Sequence, residues 1–173
     1  MEERGYIQVY TGSGKGKTTA ALGLTVRAVG AGYKVFIGQF LKQHKYSEHE
    51  AIELLGKAVT LRTWGGDRFI GQSPGEEDIR RARCGMAELE QALTGGEYDV
   101  VIADEINVAV HMGLIEEDEV LALMKMKPDM VELVLTGRYA TRRIIDAADL
   151  VTEMVEDKHY YSAGVKARKG IEK

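Results

Sequence analysis

The nine residues "TGSGKGKTT", Thr11 to Thr19, stand between a β-branched and aromatic run, "YIQVY" (Tyr6 to Tyr10), and an Ala- and Leu-rich stretch of helical character. A backbone that curls so that several N–H groups point at one anion leaves no room for Cβ atoms, and Gly12, Gly14 and Gly16 supply that freedom. A helix starting directly after the curl adds the positive end of its dipole. Lys17 then sets an ammonium on the phosphates and Thr18 turns its hydroxyl to a Mg²⁺ ion. The usual G-x-x-x-x-G-K-[ST] spacing would place glycine where Thr11 stands. The match therefore rests on the Gly-Lys-Thr core with a strand before it and a helix after it, against the plain alternative of a solvated glycine turn. Lys15 reads either as a second phosphate ligand or as a surface charge.

Such a loop needs a sheet to hold it, and the chain offers one. Short apolar runs recur between helix-like stretches: Tyr6 to Tyr10, Lys34 to Phe40, Ala58 to Trp64, Tyr98 to Glu105, Met130 to Gly137 and Leu150 to Val155. Near-continuous apolar strands such as "VVIA" imply burial on both faces. The expected class is therefore α/β, a mostly parallel sheet of about five to six strands flanked by helices on both faces, with active loops at the strands' carboxyl ends. At 173 residues, one domain spanning 1–173 is expected.

The helix expected from Pro74 to about Leu93 has the clearest signals. Ser73 and Glu76 form a capping box, Pro74 suits the first turn, and Ile79, Ala82, Met86, Leu89 and Leu93 make one apolar stripe, with Gly95 and Gly96 ending it. A second capping box, Ser47 with Glu50, points to a shorter helix through "AIELLG". The glycine-rich stretch from Arg62 to Gly75 reads as a long loop of the kind that often carries function.

A nucleotide held with Mg²⁺ requires hard oxygen ligands from a neighbouring strand end. "DVVIADE" places Asp104 and Glu105 directly after four apolar residues, so at least one carboxylate emerges at the carboxyl edge of the sheet. Which acid touches the metal directly and which acts through water stays open.

Taken in order, "VYTGSGKGKTTAALGL", "QFLK", "YDVVIADEIN", "LTGR", "ADLVTEM" and "KHYYSAGVKARKGIE" resemble the P-loop class of ATP:corrinoid adenosyltransferases, from about Tyr6 to Glu172. The resemblance implies a P-loop NTPase-like fold and transfer of the 5'-deoxyadenosyl group of ATP to the Co(I) of a reduced corrinoid, with release of triphosphate, in adenosylcobalamin synthesis or salvage. Phosphorus is then a bystander: the loop binds the triphosphate as a leaving group, and Co(I) brings its own electron pair, so no general base is needed.

By the same resemblance, Gly12 and the run Ser13, Gly14, Lys15, Gly16, Lys17, Thr18 and Thr19 bind ATP, and Lys17, Thr18 and Glu105 act in catalysis. Thr18 with Asp104 and Glu105 forms the metal site. Arg27 matches an arginine near the nucleoside or is a surface residue of the first helix. Thr136, Gly137 and Arg138 match a strand-end "TGR", which a structural turn explains equally well. Related sequences carry a Phe and then a Trp two residues on, against the lower face of the corrin. Here Phe69 is present but Gly71 replaces the Trp, and Trp64 is either a substitute or a half-buried structural residue. Corrinoid contacts are thus expected from Trp64, Phe69, Arg138 and His159. The tail departs from the family at Arg168, where a Gln is usual, and at Lys173, where an aromatic residue is common. The family also implies a homodimer and a flavoprotein reductase as electron source.

Composition bounds the rest. A net charge of −4 leaves no footprint for nucleic acid, and the single cysteine, Cys84, precludes an intrachain disulfide and fits a reducing cytoplasm. No segment has the apolar length of a membrane helix. His44, His49, His111 and His159 lack metal-like pairing, Cys84 reads as an unreactive thiol, and Met112, Met124, Met126 and Met130 read as core filler. Two other functions use the same loop: a nucleotide or metabolite kinase, for which "TRR" (Thr141 to Arg143) would serve as a lid, and a non-catalytic ATP-dependent switch.

Overall fold

The computed structural model describes residues 4–42, 47–66 and 74–172. The apolar runs form six strands: β1 (Ile7–Thr11), β2 (Val35–Gln39), β3 (Val59–Thr63), β4 (Val100–Asp104), β5 (Glu132–Thr136) and β6 (Leu150–Glu153). They pair in the order β3-β2-β4-β5-β1-β6, and every pairing is parallel. Parallel pairing demands crossovers, and these are the helices α1 (Lys17–Gly30), α2 (Ser47–Glu53), α3 (Glu76–Thr94), α4 (Ile106–His111), α5 (Glu117–Met126) and α6 (Arg142–Ala147).

The pleat divides the strand residues between two cores. Val35, Ile37, Val100, Ile102 and Val134 pack with Ala21 and Ala28 of α1 and Ile52 of α2. Phe36, Val101, Ala103, Leu133 and Leu135 face the other way, against Leu89 and Leu93 of α3, Ile106 of α4, Leu123 of α5 and Ile144 of α6. Each fully buried side chain of this size contributes roughly 1.5–3 kcal/mol of transfer free energy. The central strands β2 and β4 are buried along their whole length, as "VFIGQ" and "VVIAD" require.

Two helix starts differ from expectation. Helix α3 begins at Glu76 with Gly75 as its N-cap, and the Asp78 carboxylate accepts from the Gly75 N–H at 3.0 Å. The capping acid is thus Asp78 rather than Glu76, because the helix enters two residues later than the Ser73 reading places it; Ser73 itself lies outside the described residues. The expected apolar stripe is present, with Ala82, Leu89 and Leu93 buried and Ile79 and Met86 packed against them. Helix α2 already includes Ser47 as its first residue, so Ser47 is not its N-cap. Of the four methionines, Met124 is buried and Met112 packs on the core, but Met126 and Met130 are exposed and fill nothing.

Trp64 belongs to the core. Its ring lies 4.9 Å from that of Phe40 and 6.4 Å from that of Phe36. It sits in a slot opened by two glycines: a Cβ on Gly38 of β2 or Gly85 of α3 would come within 2.4 or 2.5 Å of the indole.

Candidate active site

The loop between β1 and α1 lies where the carboxyl ends of β1, β4 and β5 meet. Gly12 and Gly16 adopt φ of 94° and 122°, in the region that favours glycine. A second constraint comes from the chain after β6. Gly14 N–H donates to the Met154 carbonyl at 2.7 Å, and a Cβ on Gly14 would lie 2.8 Å from the carbonyl oxygens of both Met154 and Val155. The glycines thus serve an anion-facing curl and a close backbone approach at once.

Lys17, buried at the first position of α1, donates to the carbonyls of Gly12 at 2.8 Å and Gly14 at 2.6 Å. Burial lowers its pKa, with Glu105 and Asp104 opposing and Arg138 adding to the shift. One residue on, Thr18 Oγ1 donates to Asp104 Oδ1 at 2.9 Å.

Asp104, 1% exposed at the end of β4, is surrounded by donors. Thr136 Oγ1 donates to Oδ1 at 2.7 Å, and Gln39 Nε2 to Oδ2 at 3.1 Å. The Lys42 ammonium lies 2.9 Å from Oδ2. Lys42 also reaches Glu48 Oε1 at 3.3 Å and Thr18 Oγ1 at 3.5 Å. Burial opposes its charge, but Asp104, with Glu48 and Glu105 behind it, more than offsets that and holds its pKa above the ordinary value.

Glu105 occupies a left-handed backbone conformation, φ 64°, and its N–H donates to Thr136 Oγ1 at 3.0 Å. That turn separates two adjacent acids. Asp104 points into the polar cluster under the loop, whereas Glu105 lines the large cavity above it. Burial and the neighbouring Asp104 charge push the Glu105 carboxyl up, against the pull of Lys42, Lys17 and Arg138.

The cavity measures about 790 Å³, a size suited to a nucleotide and more. Gly14, Lys15, Gly16, Lys17, Thr18 and Thr19 line one wall, Ser47 and Glu48 of α2 another, and Arg138, His159 and Gly170 to Glu172 close it. Five predicted residues from four stretches of sequence, Lys17, Thr18, Glu105, Arg138 and His159, therefore meet in one space. Lys15 Nζ donates to the Ile171 carbonyl at 3.0 Å, which ties the tail to the loop.

Other expectations fall elsewhere. Arg27 is exposed in the last turn of α1, ten positions beyond Lys17 and about 15 Å along the helix axis, and does not line the cavity. Trp64 lies in the core. Phe69, Gly71 and His44 lie outside the described residues. Arg143 pairs with Glu117 and Asp118 of α5, and Thr141 caps α6, so "TRR" begins a helix rather than a lid. His49 is buried on Gln39 and Cys84 is exposed.

Sequence reasoning missed Lys42, Gln39 and Glu48. The signal was in "QFLK": a buried glutamine at the end of an apolar strand, followed by a lysine, obeys the logic that located Asp104.

The oxygen donors present fit Mg²⁺. Among the described residues no group of three His, Cys, Asp or Glu side chains stands together as an all-protein cage. Mg²⁺ needs no such cage, since it keeps several waters and is bound by one or two protein oxygens plus phosphate oxygens. The Thr18 hydroxyl with the Asp104 and Glu105 carboxylates meets that requirement.

Comparison with known proteins matches residues 3–172 to the family model described as ATP:corrinoid adenosyltransferase BtuR/CobO/CobP. The corrinoid adenosyltransferase of Pseudomonas aeruginosa is 36% identical over 181 residues, covering 99% of this chain and 85% of that protein. Corrinoid adenosyltransferase CobA of Salmonella typhimurium is 35% identical over 174 residues, covering 99% and 87%. Among solved structures, a KaiC-like protein from Pyrococcus horikoshii superposes with a TM-score of 0.59 at 17% identity, over 88% of this chain and 74% of that one. The RadB recombinase does so with 0.56 at 14%, over 87% and 74%. These two show the fold alone, and it is the parallel α/β sheet with helices on both faces expected from sequence. The relatives favour neither the kinase nor the switch.

Proposed function

We propose, from the premise that this chain belongs to the ATP:corrinoid adenosyltransferase family, a division of labour among the residues of its cavity. The chain is a corrinoid adenosyltransferase whose substrates are ATP and a corrinoid. Its loop, Gly12 to Thr19, holds the triphosphate. The single observation that carries this reading is the convergence of Lys17, Thr18, Glu105 and Arg138 on one cavity above the strands' carboxyl ends.

In the reaction, the electron pair of Co(I) forms a bond to the ribose 5' carbon. The C5'–O bond breaks, its electrons leave on the triphosphate oxygen, and cobalt becomes formally Co(III). Charge therefore grows on the bridging oxygen as the bond breaks. Lys17, released from the Gly12 and Gly14 carbonyls, sets its ammonium against that charge, and the loop N–H groups add fixed dipoles that need no reorganisation. When bound, Mg²⁺ supplies further positive charge to the phosphate oxygens. Thr18, Asp104 and Glu105 would hold it, with Asp104 also accepting from the Thr18 hydroxyl. Arg138 and His159, on the walls, take the outer part of the cavity, where the corrinoid approaches.

The family supports a homodimer, a flavoprotein reductase as electron donor and a cytoplasmic setting for a single domain. Among the described residues no helix is long and apolar enough to cross a membrane. The test combines the protein, ATP, Mg²⁺ and chemically reduced cobinamide and follows the visible spectrum. An alkyl-cobalt spectrum that requires ATP supports the assignment; unaltered reduced corrinoid with active protein contradicts it.

A further inference from the structure

Lys42 stands in an unusual position. Its ammonium touches both groups to which the metal role falls, Asp104 Oδ2 at 2.9 Å and Thr18 Oγ1 at 3.5 Å, and lies 3.3 Å from Glu48 Oε1 on α2. A divalent cation on Thr18 would approach the same oxygens, and two cations within hydrogen-bond distance of one carboxylate repel strongly in a half-buried site. Glu48, on the α2 wall of the same cavity, already accepts from the ammonium and can take it fully.

We propose that Lys42 is the resident counter-ion of the metal site, neutralising Asp104 until metal and nucleotide enter and then shifting onto Glu48, so that α2 is drawn to the loaded loop. The inference rests on the reading of Thr18 and Asp104 as the metal site. A buried carboxylate left unpaired is costly, and an ammonium shared between Asp104 and Glu48 keeps Asp104 paired until metal and ATP arrive. Lys42 is thus a positioning residue, acting through Asp104 and Glu48. The shift predicts coupling between Glu48 of α2 and metal affinity at the loop.

The test uses Mn²⁺ as probe, with the free ion read by electron paramagnetic resonance, on the full chain with and without ATP. Lys42→Met keeps the aliphatic stem and removes the charge, and is expected to tighten Mn²⁺ binding without nucleotide by about tenfold or more. Glu48→Gln removes the negative charge of the second partner and is expected to weaken Mn²⁺ binding severalfold when Lys42 is present and to have little effect in the Lys42→Met background. That dependence separates a moving ammonium from a fixed charge. Unchanged affinity in Lys42→Met, or equal effects of Glu48→Gln in both backgrounds, overturns the proposal. Should Lys42→Met fail to fold, an unaltered affinity in Glu48→Gln alone overturns it. Thr18→Val with ATP tests the underlying reading: weakened Mn²⁺ binding there, with no change in Lys42→Met, removes the Lys42 role and leaves the metal site standing. No effect of Thr18→Val removes both.

Discussion

Thr18 Oγ1 donates to Asp104 Oδ1 at 2.9 Å, and through that bond the first turn of α1 is joined to the end of β4 although β5 lies between β4 and β1 in the sheet. The hydroxyl and carboxylate come from positions 86 residues apart, yet they define one cluster under the loop. Thr136, at the end of the intervening strand, completes the link by donating to the same Asp104 oxygen at 2.7 Å.

Replacing Thr136 by Val keeps its shape and removes two bonds, one to Asp104 and one from the Glu105 N–H. Leaving such buried partners unsatisfied costs about 1–3 kcal/mol. Thermal unfolding of Thr136→Val should show a loss in that range together with weaker nucleotide binding. An unchanged melting temperature would mean that the turn at Glu105 is held by other means.

Lys17→Ala removes the ammonium that faces the phosphates. A hydrogen bond to a charged group is worth about 1.5–3 kcal/mol, so ATP affinity measured by calorimetry should fall about tenfold to a hundredfold. Because Lys17 also donates to the Gly12 and Gly14 carbonyls, the protein without nucleotide should lose about 1–3 kcal/mol of stability as well. Wild-type affinity in the variant would place the triphosphate elsewhere.

Gly14→Ala tests the second duty of the loop glycines. Its Cβ would meet two carbonyl oxygens at 2.8 Å, and backbone cannot yield as a side-chain tip does. The loop following β1 must then separate from the chain after β6, at a cost of about 1–3 kcal/mol. Hydrogen exchange at the Gly14 amide, protected by Met154, should quicken in the variant.

The tail carries a pH signature. Glu172 accepts hydrogen bonds from Arg168 and Tyr160, and these depress its carboxyl pKa from 4.5 to about 2. A depressed acid stabilises the folded arrangement above its unfolded value, and that contribution is lost as pH falls through the folded value. The cluster of Glu172 with Arg168 and Tyr160 should therefore be fully formed at neutral pH and weaken between about 4.5 and 2. A carbon-13 titration of the Glu172 carboxyl checks this, and a midpoint near 4.5 would mean that the bonds from Arg168 and Tyr160 are not formed.

Trp64 offers a contrast. Gly85→Ala drives a Cβ to within 2.5 Å of the indole and should destabilise the protein by about 1–3 kcal/mol while leaving ATP affinity unaltered, because Trp64 lies outside the nucleotide cavity. A loss of ATP affinity out of proportion to stability would return Trp64 to the site.

Local signals carried far. The near-continuous apolar strands, the apolar stripe of α3 and the glycine loop are each written in contiguous residues, and all six strands lie within the runs expected for them, to within one residue at β1. What remained hidden depends on distance. "QFLK" marks Lys42 as a polar residue after a buried strand end, but not as the partner of Asp104, because β2 and β4 become neighbours only when the sheet forms. Arg27 shows the converse: its position on the first helix is legible, but helical rise carries it about 15 Å from the loop. Adjacent acids were indistinguishable in "ADE" until the left-handed turn at Glu105 sent them in different directions.

The account stands on the triphosphate leaving whole. Phosphorus-31 resonance of the reaction mixture, with ATP, Mg²⁺ and a Co(I) corrinoid, measures this directly: inorganic triphosphate should appear in step with the alkylated corrinoid. ADP, or phosphate and diphosphate formed as primary products, would contradict it.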